Sequence, residues 1–505
     1  MTFSVAQAVG LAFQHHQAGR LAEAEIIYLK ILEQEPSNAN VLHLLGLIRY
    51  ASGKFDEAIG FITQAITVAP NIPEFYNNLG EALRAAGRPE EAITNYEQAL
   101  ALRSSYAEAR NNLGNAWLQL GKLELAEASY RKAISDQPNY AEAHYNLGYA
   151  LSAQKKFQEA LTCLTEAIRL RPNFAAAYYH LGNALRELAR PQEATDRFRD
   201  AIKLDPNFAD AYNNLANLLL APEQGAERLA CYKKAIALQP RHPQANTTLG
   251  ILLQQSGQFS AAAQCFEVVL QVQPENEAVR HLLNAVQQKN AARAPLSYVR
   301  EVYDGYADEF DTHLSAGLAY RIPQELSQLL RKNIAIPETG WDIVDLGCGT
   351  GLNGLALKDI ARSLVGVDAS PKMLEKAKER GIYQTLFCED MVEFLRNDKP
   401  ASRDLIVATD VFIYTGDLSE IFNQSSHVLR NEGVLAFSIE STEQHESDFE
   451  LQLSGRYSHH PKYIQRLARE QGFTLLTSVP TTIRTEREIP VPGYIVILVK
   501  ATEQC

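Results

Sequence analysis

Three glycines at alternate positions, Gly347, Gly349 and Gly351, follow a short apolar run from Ile343 to Leu346 that holds Asp345; Cys348 lies between the first two. Glycine is needed where backbone takes positive φ or must approach a ligand closely. A second apolar run, Ser363–Val367, follows and ends in Asp368. A carboxylate at the end of the second strand of an α/β unit can accept both ribose hydroxyls of a nucleoside. These residues therefore suit the binding of a nucleoside-bearing cofactor, with bared backbone as the cradle and Asp368 fixing the sugar.

The elements that must position them are legible around them. Ile343–Leu346 reads as a buried strand, the glycines as its exit turn, and Leu352–Ile360 as the helix that follows. Ser370-Pro371 is an N-cap with proline in the first turn, opening a helix that Gly381 ends. A third strand, Gln384–Cys388, leads to Glu389-Asp390-Met391. A fourth, Asp404–Thr409, is almost wholly apolar, as a central parallel strand should be, and leads to Asp410 and Tyr414. A helix over Leu418–Leu429 and a strand over Gly433–Ile439 follow. Glu440–Arg456 is polar and irregular, which predicts a lid or substrate loop. Pro461–Glu470 reads as a helix. Phe473–Val479 and Tyr494–Val499 read as a closing hairpin, giving seven strands, one of them antiparallel.

The run Asp345-x-Gly-x-Gly-x-Gly, followed by Val365-Gly366-Val367-Asp368-Ala369-Ser370-Pro371-x-Met373-Leu374, resembles class I S-adenosylmethionine-dependent methyltransferases over roughly residues 295–500. A dinucleotide-binding domain would usually show Gly-x-Gly-x-x-Gly instead. The resemblance implies a Rossmann-like domain over 295–505 that binds S-adenosyl-L-methionine. Cofactor contacts are then expected at Asp345, Gly347, Cys348, Gly349, Gly351, Asp368, Ala369, Met373, Asp390, Met391 and Asp410. In the family the loop at Asp390 and Met391 lies against the adenine. The segment Tyr298–Asp311 is similar to one that folds over the cofactor, which places Tyr303, Tyr306 and Arg321 as possible contacts to its methionine end; an arginine there would pair with the carboxylate. An oxygen or nitrogen acceptor can also need a base. Asp410 and Tyr414, and less so His445, His459 and His460, are candidates by position. The histidines lack partners at ligand spacing, and no metal is expected.

Residues 1–290 have a different order. Proline recurs at one fixed interval, or twice that interval, through Pro36, Pro70, Pro138, Pro172, Pro206, Pro240 and Pro274. Gly46, Gly80, Gly114, Gly148, Gly182 and Gly250 keep the same register, and Tyr96, Tyr130, Phe198, Tyr232 and Phe266 fill another column. The interval is that of the tetratricopeptide repeat, a helix-turn-helix unit of about 34 residues. About eight units are expected, with Glu277–Lys289 as a capping helix and a domain boundary at Gln287–Pro295. Asn78, Asn112, Asn146 and Asn214 form a column on the first helix of their repeats. A carboxamide both donates and accepts, so it can pair with extended polypeptide whatever its side chains. The column resembles the asparagine ladder of the O-GlcNAc transferase repeats, and it makes a protein or peptide the expected partner. The competing explanation is that these asparagines bond to neighbouring loops and simply belong to the repeat consensus.

The net charge is -12, and most of it falls after residue 290, where 22 Lys and Arg face 31 Asp and Glu. Nucleic-acid backbones need clustered basic charge, so no nucleic acid is expected. The six cysteines, none in a Cys-x-x-Cys pair, suit a reduced, cytoplasmic setting. No apolar run approaches the roughly 20 residues a membrane-spanning helix needs, and no signal peptide is visible. Three functions compete: a methyltransferase whose repeats recruit a protein, a small-molecule methyltransferase whose repeats assemble it into a complex, and a non-catalytic scaffold that keeps a cofactor-binding fold. The methyl acceptor is not written in the sequence.

Overall fold

The computed structural model describes residues 4–305, 307, 310–312, 320–441, 447–486 and 489–502. The chain divides into two compact units, Met1–Leu238 and Gln239–Cys505.

The first unit is seven antiparallel helix pairs, from Val5–Gln17 with Leu21–Gln34 to Ala209–Leu218 with Gly225–Leu238. The repeat columns explain how each pair closes. A Cβ on Gly80 would lie 2.5 Å from the Tyr96 ring, and one on Gly114 2.5 Å from the Tyr130 ring. Glycine on the first helix thus lets an aromatic ring of the second seal the crossing. Tyr96, Tyr130, Phe198 and Tyr232 are fully buried. Their phenols are satisfied on the neighbouring helix: Tyr96 donates to Glu81 (2.8 Å), Tyr130 to Asn115 (2.8 Å) and Tyr232 to Asn217 (2.5 Å). The first six first helices are followed by a residue of positive φ, at Gly19, Gly53, Gly87 and Gly121; Lys155 (61°) and Ala189 (56°) occupy the same position without that freedom.

The second unit opens with one more helix pair, Pro243–Gln255 and Phe259–Val272, and the helix Glu277–Val286. Helices Leu296–Asp304 and Ile322–Asn333 then lead into the sheet. Its strands are β1 (Trp341–Leu346), β2 (Ala361–Asp368), β3 (Thr385–Cys388), β4 (Arg403–Ala408), β5 (Leu429–Glu440), β8 (Phe473–Glu486) and β9 (Ile489–Lys500); β6 (Phe449–Leu451) and β7 (Tyr457–His459) form a separate hairpin. The order is β3-β2-β1-β4-β5-β9-β8, with β9 running against the other six strands. Alternation within the strands feeds two cores. Val344, Leu346, Ile406 and Leu435 face helices Ser419–Val428 and Pro461–Glu470, while Ile343, Leu405, Val407 and Val434 face Ile322, Leu326 and Leu330. This is an all-α repeat array followed by a doubly wound Rossmann-like domain of seven strands.

Three local expectations change. The helix after the glycine turn is Leu352–Leu357, closed by a 3-10 turn at Lys358–Ile360. The closing hairpin is far longer than its apolar stretches, and it carries Arg484 inward. Of the segment expected as an irregular lid, 442–446 lie outside the described residues; its described part contains β6, and Leu451 is buried with Tyr414, Tyr457 and Ala285.

Candidate functional site

β1, β2 and β4 end at one cleft. Gly347 (φ 64°), Gly349 (53°) and Gly351 (95°) all take positive φ, which the alternate spacing serves. A Cβ on Gly347 would collide with Val411, whereas one on Gly349 would meet only Phe310, at 3.7 Å. The Cys348 N–H donates to Val367 O (3.0 Å) and fastens the turn to β2. Beside it, Asp368 accepts from the Gly349 N–H (2.9 Å) and the Ser370 N–H (2.8 Å). Burial pushes its carboxyl up to about 6 in spite of those donors.

The cleft has three chemically distinct parts. Asp368 and Ala369 line its centre. Glu389, Asp390 and Met391 line one end; Asp390 caps the helix Met391–Asn397 through the Val392 N–H (2.9 Å) and pairs with Arg293 at 3.1 Å. Tyr303, Phe310, Tyr320, Asp410 and Tyr414 line the other end. Asp410 sits at φ 58°, its N–H bonded to Ser438 Oγ (2.8 Å) and its carboxylate to Arg484 Nη1 (2.5 Å). Arg484 is 2% exposed and also binds Glu440 and Glu486, and Arg456 reaches Glu486 in turn.

Other candidates read from the chain alone lie outside this lining. Asp345 is buried behind the turn, accepting from Asn353 Nδ2 (2.9 Å) and the Tyr383 hydroxyl (2.6 Å). Gly351 packs under Tyr383 and Arg380, and Met373 is fully buried. Arg321 is exposed just before the helix Ile322–Asn333. Tyr306 and His445 fall outside the described residues. His459 is buried and bonded to Thr415 O (2.8 Å), with burial lowering it to about 4, while His460 caps the helix Pro461–Glu470. Among the described residues no group of His, Cys, Asp and Glu is placed to hold a metal ion. Phe310 belongs to the segment expected to fold over the cofactor, whereas Arg293, Tyr320 and Arg484 are lining or supporting residues that sequence reading passes over. Of these, Arg484 alone carries a signal, as a charge set in a Thr-rich stretch that could form a strand.

In the first unit the asparagine column is bonded within the array. Asn78 meets His43 (2.8 Å), Asn112 donates to Asn77 (3.2 Å), Asn146 to Asn111 (2.9 Å) and Asn214 to Asn183 (2.8 Å). Asn112 and Asn146 nevertheless line a groove with Glu81, Glu108, Tyr140 and Glu142.

Each part matches known proteins on its own. Residues 344–437 match the family model described as a methyltransferase domain, and segments between 43 and 287 match tetratricopeptide-repeat models. The chain thus joins tetratricopeptide repeats to a Rossmann-like domain that matches the methyltransferase family model. A probable S-adenosylmethionine-dependent methyltransferase of Saccharomyces cerevisiae is 31% identical over 20% of this chain and 35% of its own length. Methyltransferase-like protein 27 of Homo sapiens is 39% identical over 17% of this chain and 34% of its own. The chain thus spans about a third of the length of these curated relatives. A solved tetratricopeptide-repeat protein, described as having an unusual peptide-binding site, is 28% identical, covers 36% of this chain and 95% of its own, and superposes with a TM-score of 0.32. Among the described residues no helix is long and apolar enough to cross a membrane.

Proposed function

We propose that the chain transfers methyl groups from S-adenosylmethionine and that its repeats hold a protein segment. The observation that carries the first part is the cradle: Gly347, Cys348 and Gly349 bare their backbone to the cleft, and Asp368 is fixed beside them at the end of β2. These residues fit the cofactor. Asp368 takes the ribose hydroxyls, Asp390 the adenine amine, Met391 an adenine face, and Tyr303 the methionine end. The bound cofactor supplies an electrophilic methyl group on a sulfonium; the protein supplies position.

Calorimetry with S-adenosylhomocysteine on the full chain tests this. Asp368→Ala removes a charged acceptor worth about 1.5–3 kcal/mol, so binding should weaken roughly 10- to 150-fold. Unchanged affinity would remove the ribose assignment, and no binding by the unaltered chain would remove the cofactor.

The groove of the first unit supports the second part. Each carboxamide of Asn112 and Asn146 has hydrogen-bonding capacity beyond its bonds within the array.

A further inference from the structure

We propose that the aromatic end of the cleft is a site for a cationic or amine-bearing methyl acceptor, with Tyr303, Phe310, Tyr320 and Tyr414 as its walls and Asp410 as its counter-charge. The proposal rests on the methyltransferase reading and names the substrate class.

Ring geometry is the first argument. Tyr303 stands 5.8 Å from Phe310 at 67° and 5.7 Å from Tyr414 at 79°. Rings set nearly at right angles present walls in different directions around one space. An aromatic face is electronegative and attracts a cation within about 6 Å of its centre. The Tyr320 hydroxyl donates to Thr409 Oγ1 (3.1 Å), which fixes that ring at the same end. Burial raises the Tyr303 and Tyr320 phenols well above their usual range, so both rings stay neutral.

Charge is the second argument. Asp368, Glu389, Asp390 and Asp410 line the cleft; among the described lining residues the one lysine or arginine is Arg293, whose guanidinium pairs with Asp390 at 3.1 Å. Behind Asp410, the carboxylates of Asp410, Glu440 and Glu486 face the guanidiniums of Arg484 and Arg456, which leaves one negative charge over. Asp410 is the member of that group that lines the cleft. A carboxylate or phosphate acceptor would enter against this field, and an ammonium would enter with it. Transfer to an amine balances without a further reagent. The bound ammonium first gives one proton to solvent water; the lone pair so freed makes the new N–C bond, the electrons of the S–C bond stay on sulfur, and the methylated nitrogen leaves as an ammonium whose charge Asp410 offsets.

Tetramethylammonium chloride and sodium acetate, at matched ionic strength, are the probes. They are added to the full chain saturated with S-adenosylhomocysteine, which has no sulfonium charge. Tetramethylammonium should bind beside it, read by calorimetry and by a raised unfolding midpoint, and acetate should not. Tyr414→Leu should weaken the ammonium about 3- to 30-fold, Tyr414→Phe should keep it because the ring face remains, and Asp410→Asn should weaken it. Circular dichroism and a cooperative unfolding transition check that each variant folds. Acetate binding in preference, no ammonium binding, or ammonium that binds only when S-adenosylhomocysteine is absent would each overturn the proposal; the last would assign the rings to the donor's own sulfonium. If S-adenosylhomocysteine itself does not bind, the methyltransferase reading fails and this one with it.

Discussion

Asp345 shows what a buried carboxylate costs and what it fixes. It is wholly enclosed, and its oxygens accept from Asn353 and Tyr383, yet burial pushes it up to about 7. Its pKa is raised in the folded state above an unfolded value of about 3.9. Its contribution to stability is therefore complete below about pH 4 and is lost as pH rises through about 7. Asp368, raised to about 6, acts in the same direction. The urea midpoint of the ligand-free chain should carry a falling component between about pH 4 and 8, and Asp345→Asn should remove part of it. An identical pH profile in the variant would mean that the carboxyl is not the source. At this scale the sequence is informative where function is local. Alternate glycines and an acid closing the next apolar run are a short-range pattern that names the cradle. Tyr320 reaches the same cleft, and Arg484 reaches its Asp410, from distant segments. Single residues in such segments have no period, so nothing in the chain announces where they converge.

Among the elements, the repeat helices are tied by amides as well as by rings. Asn77 is fully buried, and its carbonyl accepts from Asn112 one repeat away. Asn112→Ala leaves that oxygen without its partner, a loss of about 1–3 kcal/mol. The unfolding midpoint should fall accordingly, whereas a variant as stable as the natural chain would leave the carboxamide available to a ligand alone. The repeat period is visible in the sequence because small and aromatic residues must alternate wherever two helices cross at close range. The turn column is less so, since Lys155 and Ala189 hold the left-handed position usually filled by glycine. Strand ends are harder still. β8 runs on through Thr481, Thr482 and Arg484, and β9 begins at Ile489 with Pro490 and Pro492. Such residues look like loop until their partner strand is known. β6 and β7 are three residues each, too short to show alternation.

For the whole molecule, the meaningful division is the one at Leu238–Gln239. The helix Glu277–Val286 belongs with the sheet: His281 bonds to Gly455 O (2.8 Å) and stacks near Tyr298, and Ala285 is buried with Tyr414, Leu451 and Tyr457. Asn290 accepts from the Leu451 N–H (2.7 Å), and Gln254 donates to Leu453 O (2.5 Å). A fragment starting at Gln239 should unfold in one cooperative transition. One starting at Pro295 loses this cover from Tyr414 and Tyr457 and should unfold at lower temperature or aggregate. Equal midpoints by calorimetry would show that the last repeat adds nothing to the domain. A lineage that exchanges repeats to acquire a new partner is then free to recombine only upstream of Gln239. The eighth helical pair matches a repeat model in sequence and packs with the second unit, so it has to be inherited with that unit.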